Sequence, residues 1–198
     1  MRFLNFPFNF PPLRRVAVVA TILVSILICS SCYSFPADVT PINDTNYFKT
    51  VYSLISKAEK SVYVIMYHAI YYDKYSDSFS NKLLKSLIAA KKRGVEVEII
   101  LDRMKDTEAK KGKFSDNERM AKMLSAEGIK VYMDDKNVTT HSKLLIIDSR
   151  YVVIGSTNWT YEALSKNNET NALIDSEQAA KEYISYFNQL AAFCTPTK

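Results

Sequence analysis

Two short apolar segments with a polar break between them place the strongest constraint on how this 198-residue chain can fold. Residues 144–147 and 151–154 consist almost entirely of leucine, isoleucine and valine, and the polar residues 148–150 separate them. Two β-prone runs joined by a short polar stretch predict a β-hairpin. Two-residue loops are the commonest hairpin connections, so we place the loop at Ser149 and Arg150.

The register of this hairpin decides which side chains meet. A loop at Ser149 and Arg150 sets Asp148 opposite Tyr151. Because side chains alternate between the two faces of a strand, the pairing then brings four polar side chains onto one face. These four are His141 and Lys143 on the first strand, with Asn158 opposite His141 and Ser156 opposite Lys143 on the second. Leu144 and Ile146 are expected to point to the other face.

The four groups suit chemistry at a phosphorus atom. A neutral imidazole can attack phosphorus or carry protons. Ammonium, hydroxyl and amide groups can donate hydrogen bonds to the oxygens of a phosphate. Gly155 removes a side chain just before Ser156, which lets a ligand or another backbone come close. No thiolate or carboxylate cluster of the metal-ligand type accompanies the four groups, so we predict a site that needs no metal and no other cofactor.

The spacing of these residues resembles a known motif. The pattern His141-x-Lys143-x4-Asp148-x6-Gly155-Ser156-x-Asn158 is similar to the HKD motif of the phospholipase D superfamily, and the resemblance extends over roughly residues 45–193. It implies an α/β fold of one domain, with a mixed β-sheet flanked by helices on both faces. It also implies a hydrolase that cleaves phosphodiester bonds through a phosphohistidine intermediate.

The resemblance assigns roles to individual residues. His141 would be the nucleophile, and the phosphate oxygens would be held by Lys143, Ser156 and Asn158. Glu169 lies 28 residues after His141, where a glutamate of the family accepts a hydrogen bond from the catalytic histidine. Asp148 belongs to the motif, but our register puts it on the face opposite His141. It is therefore expected to support or ion-pair its neighbours rather than to carry a proton.

The family pairs two HKD motifs in one active site, and this chain has a single motif. One histidine cannot easily serve as nucleophile and as acid for the leaving group, since these roles need different protonation states. We therefore predict a two-fold symmetric homodimer in which two copies of the hairpin face each other.

Three hypotheses about the function stay open at this stage. The small size and single motif resemble secreted bacterial nucleases, which favours an endonuclease acting on DNA or RNA. A phospholipase D that releases head groups from phosphatidylcholine or cardiolipin is the alternative, and a binding protein of the envelope without catalysis is the third. The tyrosine-rich stretch 71–77 could stack bases, cover a lipid head group or be an ordinary exposed loop, and the family gives His68 no role.

The N-terminus predicts export. Arg14 and Arg15 precede an apolar run over residues 16–28 and several serines, which is typical of a secretory signal peptide. We assign residues 1–34 to a signal peptide or an N-terminal membrane anchor, 35–43 to a linker and 44–198 to the catalytic domain. Membrane association would run through residues 14–35, and a lipid on Cys32 is a further alternative. The exported protein would be periplasmic, secreted or held at the membrane.

Composition adds weaker constraints. The net charge is +5, and loss of residues 1–34 removes three arginines and no acid, which leaves +2. That is too small to argue for nucleic-acid binding from global charge. The basic run 91–93 suits the C-terminus of a helix. Hydrophobic periodicity and capping residues predict helices from 44 to about 58, 79–93, 115 to about 127 and from 176 onward, and strands over 62–67, 95–101, 129–133 and 171–174.

Overall fold

In the computed structural model, residues 34–103, 115–135 and 137–197 are described, and they are built on one mixed sheet. The strands are β1 (Asp38–Pro41), β2 (Ser61–Met66), β3 (Glu96–Leu101), β4 (Lys130–Met133), β5 (Lys143–Ile147), β6 (Tyr151–Gly155), β7 (Asn171–Asp175) and β8 (Thr195–Pro196). The helices are α1 (Thr45–Lys57), α2 (Phe79–Lys92), α3 (Asp116–Ala126), α4 (Tyr161–Ser165) and α5 (Glu177–Ala191).

The strand order in the sheet is β1-β7-β6-β5-β2-β3-β4-β8. Strands β2, β3 and β4 run parallel, as two strand–helix–strand units require, and the remaining neighbours pair antiparallel. The predicted mixed sheet is confirmed. The four strands that the sequence predicted outside the hairpin, β2, β3, β4 and β7, lie within it, with boundaries that differ from the prediction by one residue.

Two apolar clusters cover the two faces of the sheet. Val64, Leu145 and Val153 face the larger cluster with α1, α2 and α3. Ile65, Leu144 and Ile146 face a smaller cluster with α5. Strand β2 lies in the middle of the sheet and is covered on both sides, which explains its continuous apolar sequence. The prediction that Leu144 and Ile146 point away from Lys143 is confirmed.

Several helix ends follow the predicted capping chemistry. Ser115 and Glu118 form the expected reciprocal capping box at the start of α3. The hydroxyl of Ser176 accepts a hydrogen bond from the backbone of Ala179 at the start of α5. Helix α1 differs, because its N-cap residue Asp44 makes no side-chain bond to its own helix and has a φ of 51°.

The linker prediction for residues 35–43 is wrong in its central part. Residues 38–41 form β1, an edge strand that pairs antiparallel with β7. All four residues are exposed, so no apolar alternation marks the strand in the sequence. Pro41 is tolerated because edge strands can lack a donor. The following Ile42 is 3% exposed and belongs to the larger core cluster.

The predicted hairpin forms, but its register is shifted by one residue. Ile147, rather than Asp148, pairs with Tyr151, so the turn contains three residues instead of two. Asp148 and Ser149 both have positive φ values, 55° and 56°. The Arg150 backbone N–H donates to the Ile147 carbonyl at 3.1 Å and closes the turn.

The predicted signal peptide or anchor lies almost wholly in residues 1–33, which are outside the described part of the chain, as are residues 104–114. Among the helices of the described residues, none combines the length and the apolar character needed to cross a membrane.

Candidate active site

Five strand ends bring the polar residues of the sequence motif to one edge of the sheet. The register sets Met66 at the end of β2 beside Lys143 at the start of β5 and beside Leu101 at the end of β3. On the other side, Gly155 at the end of β6 pairs with Asn171 at the start of β7. The residues just beyond these ends therefore collect at this edge. They include Tyr67, Asp102, His141, Ser156, Asn158 and Glu169.

His141 and Lys143 are in direct contact, as the sequence predicted. The Lys143 ammonium donates to the His141 carbonyl oxygen at 2.7 Å and lies 3.3 Å from each ring nitrogen of His141. The ring of Tyr67 packs against the imidazole with a centroid distance of 4.4 Å. The same ring lies 4.8 Å from the ammonium, at cation–π distance. His141 itself is exposed, so an incoming phosphate can reach it.

Lys143 carries its charge in a buried position. The residue is 6% exposed. Burial lowers the pKa of Lys143, because a charged group loses hydration there, and the negative charges of Glu169 and Asp102 act in the opposite direction. A desolvated ammonium between two carboxylates is well placed to attract phosphate oxygens, since charge interactions strengthen as water is excluded.

Glu169 is 8% exposed and is held by neutral donors. One carboxylate oxygen accepts a very short hydrogen bond from the Ser156 hydroxyl, and the other accepts a bond of 3.0 Å from the Asn167 amide. The hydrogen bond that we expected from His141 to Glu169 is not formed in the single chain. Among the described residues, the His141 ring nitrogens are within hydrogen-bond distance of the Lys143 ammonium only.

The N-terminal segment fixes the backbone of Glu169, and sequence analysis missed this. The Asp44 carboxylate accepts the Glu169 backbone N–H at 2.8 Å, and the Asp44 N–H donates to the Glu169 carbonyl at 3.1 Å. Beside this pair, the Asn43 side chain accepts the N–H of Asn171 at 3.0 Å. Sequence analysis used this part of the chain only to place the start of a helix at residue 44. No sequence signal indicated a partner more than 100 residues away.

Ser156 and Asn158 lie at the edge, but not in the predicted positions opposite Lys143 and His141. Given the observed register, Lys143 falls opposite Gly155. Ser156 reaches the site through its bond to Glu169 instead. The side-chain oxygen of Asn158 is buried and has no hydrogen-bond partner among the described residues.

Gly155 is explained by a close approach of protein to protein. A Cβ at this position would lie 2.1 Å from the side-chain oxygen of Asn171 and 2.4 Å from the Thr170 carbonyl oxygen. The sequence left open whether a ligand or another backbone comes close to Gly155. In the structure, the neighbouring strand occupies that space.

Asp148, which belongs to the motif and was for that reason a candidate catalytic residue, does not reach the site. It lies at the other end of β5, roughly 20 Å from His141 at ~3.3 Å per residue. Its carboxylate accepts backbone N–H groups of Glu59, Lys60 and Ser61 at 2.8–3.1 Å. It forms neither an ion pair nor a contact with the other motif residues in the described chain. Its position therefore indicates a structural tie between the hairpin and the start of β2.

Two buried carboxylates hold the segment that carries His141. The backbone N–H of Thr140 donates to Asp102 at 2.7 Å and to Asp134 at 3.1 Å. Asp134 also accepts the N–H of Arg103 at 2.6 Å. Sequence analysis gave these two aspartates no role. Their position at the carboxyl ends of parallel strands could have indicated the site.

The second histidine of the chain is engaged elsewhere on the same edge. The His68 Nε2 atom lies 3.3 Å from the Asp116 carboxylate at the start of α3. The neighbouring Asn117 side chain donates to the carbonyls of Tyr67 and Asp102 and accepts the N–H of Ala69. No group of three potential metal-binding side chains occurs within residues 34–103, 115–135 and 137–197. The absence of a cofactor requirement stays a prediction.

Comparison with known proteins gives consistent matches. A family model described as "Cardiolipin synthase, PLD-like domain" matches residues 51–191. A phospholipase D of Rickettsia typhi is 33% identical over 164 residues, which cover 82% of this chain and 68% of that protein. A phospholipase D of Rickettsia prowazekii is 34% identical over 155 residues, which cover 78% of this chain and 63% of that protein. The chain thus spans about two thirds of the length of these relatives.

Solved structures share the fold. The phospholipase D family member Nuc from Salmonella typhimurium superimposes with a TM-score of 0.69 at 23% identity, and the match covers 82% of this chain and 99% of Nuc. NucT from Helicobacter pylori gives a TM-score of 0.61 at 20% identity over 82% of this chain and 100% of NucT.

Proposed function

Because the chain belongs to the phospholipase D superfamily, and is thus a hydrolase of phosphodiester bonds, we propose that it works without a metal and through a phosphohistidine on His141. The observation that carries this proposal is the contact between the exposed His141 imidazole and the buried Lys143 ammonium. A nucleophile and a fixed positive charge 3.3 Å apart can both engage one phosphate group.

In the first step, a nitrogen of the neutral His141 ring forms a bond to phosphorus, and the bond to the leaving oxygen breaks. Lys143 neutralises charge on the non-bridging oxygens. Asn158 would contribute through the N–H groups of its side-chain amide, which can donate to a phosphate oxygen. Ser156 is exposed, and its hydroxyl can donate to a phosphate oxygen in place of its hydrogen bond to Glu169.

The leaving oxygen needs a proton, and a single chain does not provide a second histidine for it. The chain has two histidines, and His68 faces Asp116. We therefore propose that His141 of a second copy protonates the leaving group across a two-fold axis and then activates the water that cleaves the phosphohistidine. Glu169 would support the imidazolium form in this assembled site, directly or through Ser156.

A subunit-mixing experiment tests this mechanism. Wild-type protein and the His141→Asn variant are mixed under exchange conditions, and hydrolysis of bis(p-nitrophenyl) phosphate is measured in EDTA. If both histidines of a dimer are needed, activity falls with the square of the wild-type fraction. A linear fall, or an active monomer in sedimentation at the assay concentration, would contradict the shared site. Full activity of pure His141→Asn would refute the proposal as a whole.

For the substrate, we propose DNA or RNA cleaved internally, on the basis of the single motif and the compact size. Phospholipid head-group release is the second candidate, and the curated relatives named phospholipase D at 33–34% identity favour it. Plasmid nicking and hydrolysis of phosphatidylcholine or cardiolipin vesicles, measured side by side in EDTA, separate the two. Binding of nucleic acid or lipid without turnover would favour the envelope-binding alternative.

We also propose that N-terminal residues 1–34 direct export of the chain and that the exported protein is periplasmic, secreted or held at the membrane. The basic pair Arg14-Arg15 followed by the apolar run 16–28 supports this proposal. Mass spectrometry of protein recovered from an expression host distinguishes cleavage, lipid attachment at Cys32 and retention of the segment as an anchor through residues 14–35.

A further inference from the structure

An aromatic cleft opens beside the active-site edge. Its two walls continue directly from the site. One wall, residues 72–79, follows Tyr67 after β2, and the other, residues 161–165, follows Asn158 after β6. The two segments are joined by backbone bonds between Trp159 and the stretch His68–Ile70. The cleft has a volume of about 840 Å³, within the range of sites that bind organic ligands.

Four of the residues that line this cleft are aromatic. The rings are those of Tyr72, Tyr75, Phe79 and Tyr161. Phe79 is backed by Phe48, with a centroid distance of 4.1 Å, and so forms a rigid floor. Tyr75 is 69% exposed and Tyr161 is 47% exposed. Exposure of two large rings in one cleft is costly in water and provides free flat faces for a ligand.

The two walls are held in a fixed relation. The Tyr72 hydroxyl accepts the backbone N–H of Tyr161 at 2.9 Å. The Asn81 side chain, which is fully buried, donates to the carbonyls of Tyr72 and Tyr75 at 2.9 and 3.0 Å and accepts the Tyr72 N–H. These bonds tie the tyrosine-rich stretch to helix α2. The rings are therefore presented on an ordered surface, which reduces the entropy lost on binding.

Lysines surround the rings. Lys166 lies 5.0 Å from the centroid of Tyr161, and Lys82 lies 6.0 Å from that of Phe79. The Lys85 ammonium donates to the Ser76 carbonyl at 2.9 Å, and Lys74 lines the cleft itself. Two carboxylates, Asp77 and Glu162, also line it. The lining itself therefore holds one lysine and two acids, and the excess of positive charge comes from the three lysines around it. With the Asp73–Arg119 ion pair counted as neutral, the surroundings of the cleft are weakly positive, which suits a polyanion that passes over it.

We propose that this cleft is a subsite for the unpaired bases of single-stranded nucleic acid that enters the active site. Bases stack on aromatic faces while nearby lysines contact the backbone phosphates, which is how proteins hold single strands without strong sequence preference. Asp77 and Glu162 can accept hydrogen bonds from the exocyclic amines of the bases. A lipid acyl chain fits less well, since phenol hydroxyls, carboxylates and lysines border the apolar surface. The inference rests on the proposed nucleic-acid substrate and names the form of it that the site takes.

Binding without cleavage tests the cleft separately from catalysis. Full-length protein carrying His141→Asn is titrated with a fluorescent oligothymidylate of about 12 nucleotides, within the site sizes of single-strand binders, and anisotropy gives the Kd. Adding Tyr75→Ala and Tyr161→Ala together should raise the Kd at least about tenfold, since each removes a stacking face. Tyr75→Phe with Tyr161→Phe keeps both rings and should restore binding to near the parent value.

Tyr186→Ala is the matched control, because Tyr186 is 46% exposed on α5, a helix that packs on the opposite face of the sheet. It should leave the Kd unchanged. An unchanged Kd in the double alanine variant, with native circular dichroism, overturns the subsite. So does a loss of binding to phosphatidylcholine vesicles in that variant while oligonucleotide binding is kept. Hydrolysis by the wild-type protein is measured in a separate assay. If no hydrolysis is found, the oligonucleotide titration still tests whether the cleft binds single strands.

Discussion

The ammonium of Lys143 lies 2.7 Å from the carbonyl oxygen of His141 and 3.3 Å from both nitrogens of its ring, so the two motif residues form one unit. The lysine is buried and the histidine is exposed. The charge is thus held on the protein side and the imidazole on the solvent side. A phosphate that reaches the imidazole therefore meets a positive charge that water screens only weakly.

The first prediction concerns the pH dependence of folding. Burial lowers the pKa of Lys143 below its ordinary 10.5, so the folded chain binds this proton less tightly than the unfolded chain. Between the lowered pKa and 10.5, the unfolded chain carries more protons, and this group makes stability rise with pH. Urea unfolding of wild type and of Lys143→Met should show the wild type gaining relative stability from neutral to alkaline pH. A difference that does not change with pH would contradict the burial of a charged lysine.

The second prediction concerns the carboxylate of Glu169. Its negative charge raises the pKa of Lys143 and so opposes the effect of burial. Glu169→Gln removes this charge while it keeps the shape, so the pKa of Lys143 should fall further. If the charged lysine holds the phosphate, the fall of kcat/KM on the alkaline side of its pH profile should begin at a lower pH. Glu59→Gln, at the Asp148 end of the sheet, is the control and should leave this pH unchanged.

The third prediction concerns Asp148. Asp148→Asn keeps a residue that tolerates the φ of 55°, but removes the charge that accepts three backbone N–H groups. Stability should fall by about 2 kcal/mol, the usual size for hydrogen bonds to a charged group. The remaining folded protein should hydrolyse bis(p-nitrophenyl) phosphate at close to the wild-type rate. Asp38→Asn on the exposed β1 is the control and should change neither stability nor activity. If Asp148→Asn lost activity without losing stability, Asp148 would have a catalytic role after all.

The fourth prediction compares two glycines. Gly155→Ala places a methyl group 2.1 Å from the Asn171 side-chain oxygen, so β7 must move and stability should fall by about 3 kcal/mol. The Glu169 loop precedes β7 and should move with it, so kcat/KM should fall as well. Gly94→Ala meets no atom within 4 Å but has a φ of 94°, so it should cost about 1 kcal/mol from backbone strain and leave activity unchanged. Thermal unfolding and hydrolysis assays check both variants.

Much of the sheet could be predicted from the sequence, because β2 to β7 and the long helices carry local signals. Apolar runs marked the buried strands, and Ser115 and Ser176 marked helix starts. The proximity of His141 and Lys143 was predicted from their spacing, although β5 begins only at Lys143 and His141 lies just before it. Strands β1 and β8 escaped prediction because they are short and fully exposed, so no apolar alternation identifies them.

The details of the site depended on tertiary contacts that local patterns do not contain. The hairpin register was missed because Asp148 is drawn out of the ladder by the N–H groups of residues 59–61. The partners of Glu169 were missed for the same reason, since Asp44 reaches it from the other end of the chain. A shift of one residue in the hairpin changes every cross-strand neighbour, which explains why Ser156 reaches the site by a different route.

The bond between Asp44 and Glu169 joins positions 125 residues apart. During synthesis, the aspartate leaves the ribosome long before the glutamate that it secures. The loop around Glu169 can therefore adopt this conformation only after β7 has emerged and has docked between β1 and β6. A nascent or truncated product that ends before β7 would contain both histidines and still lack an assembled catalytic centre.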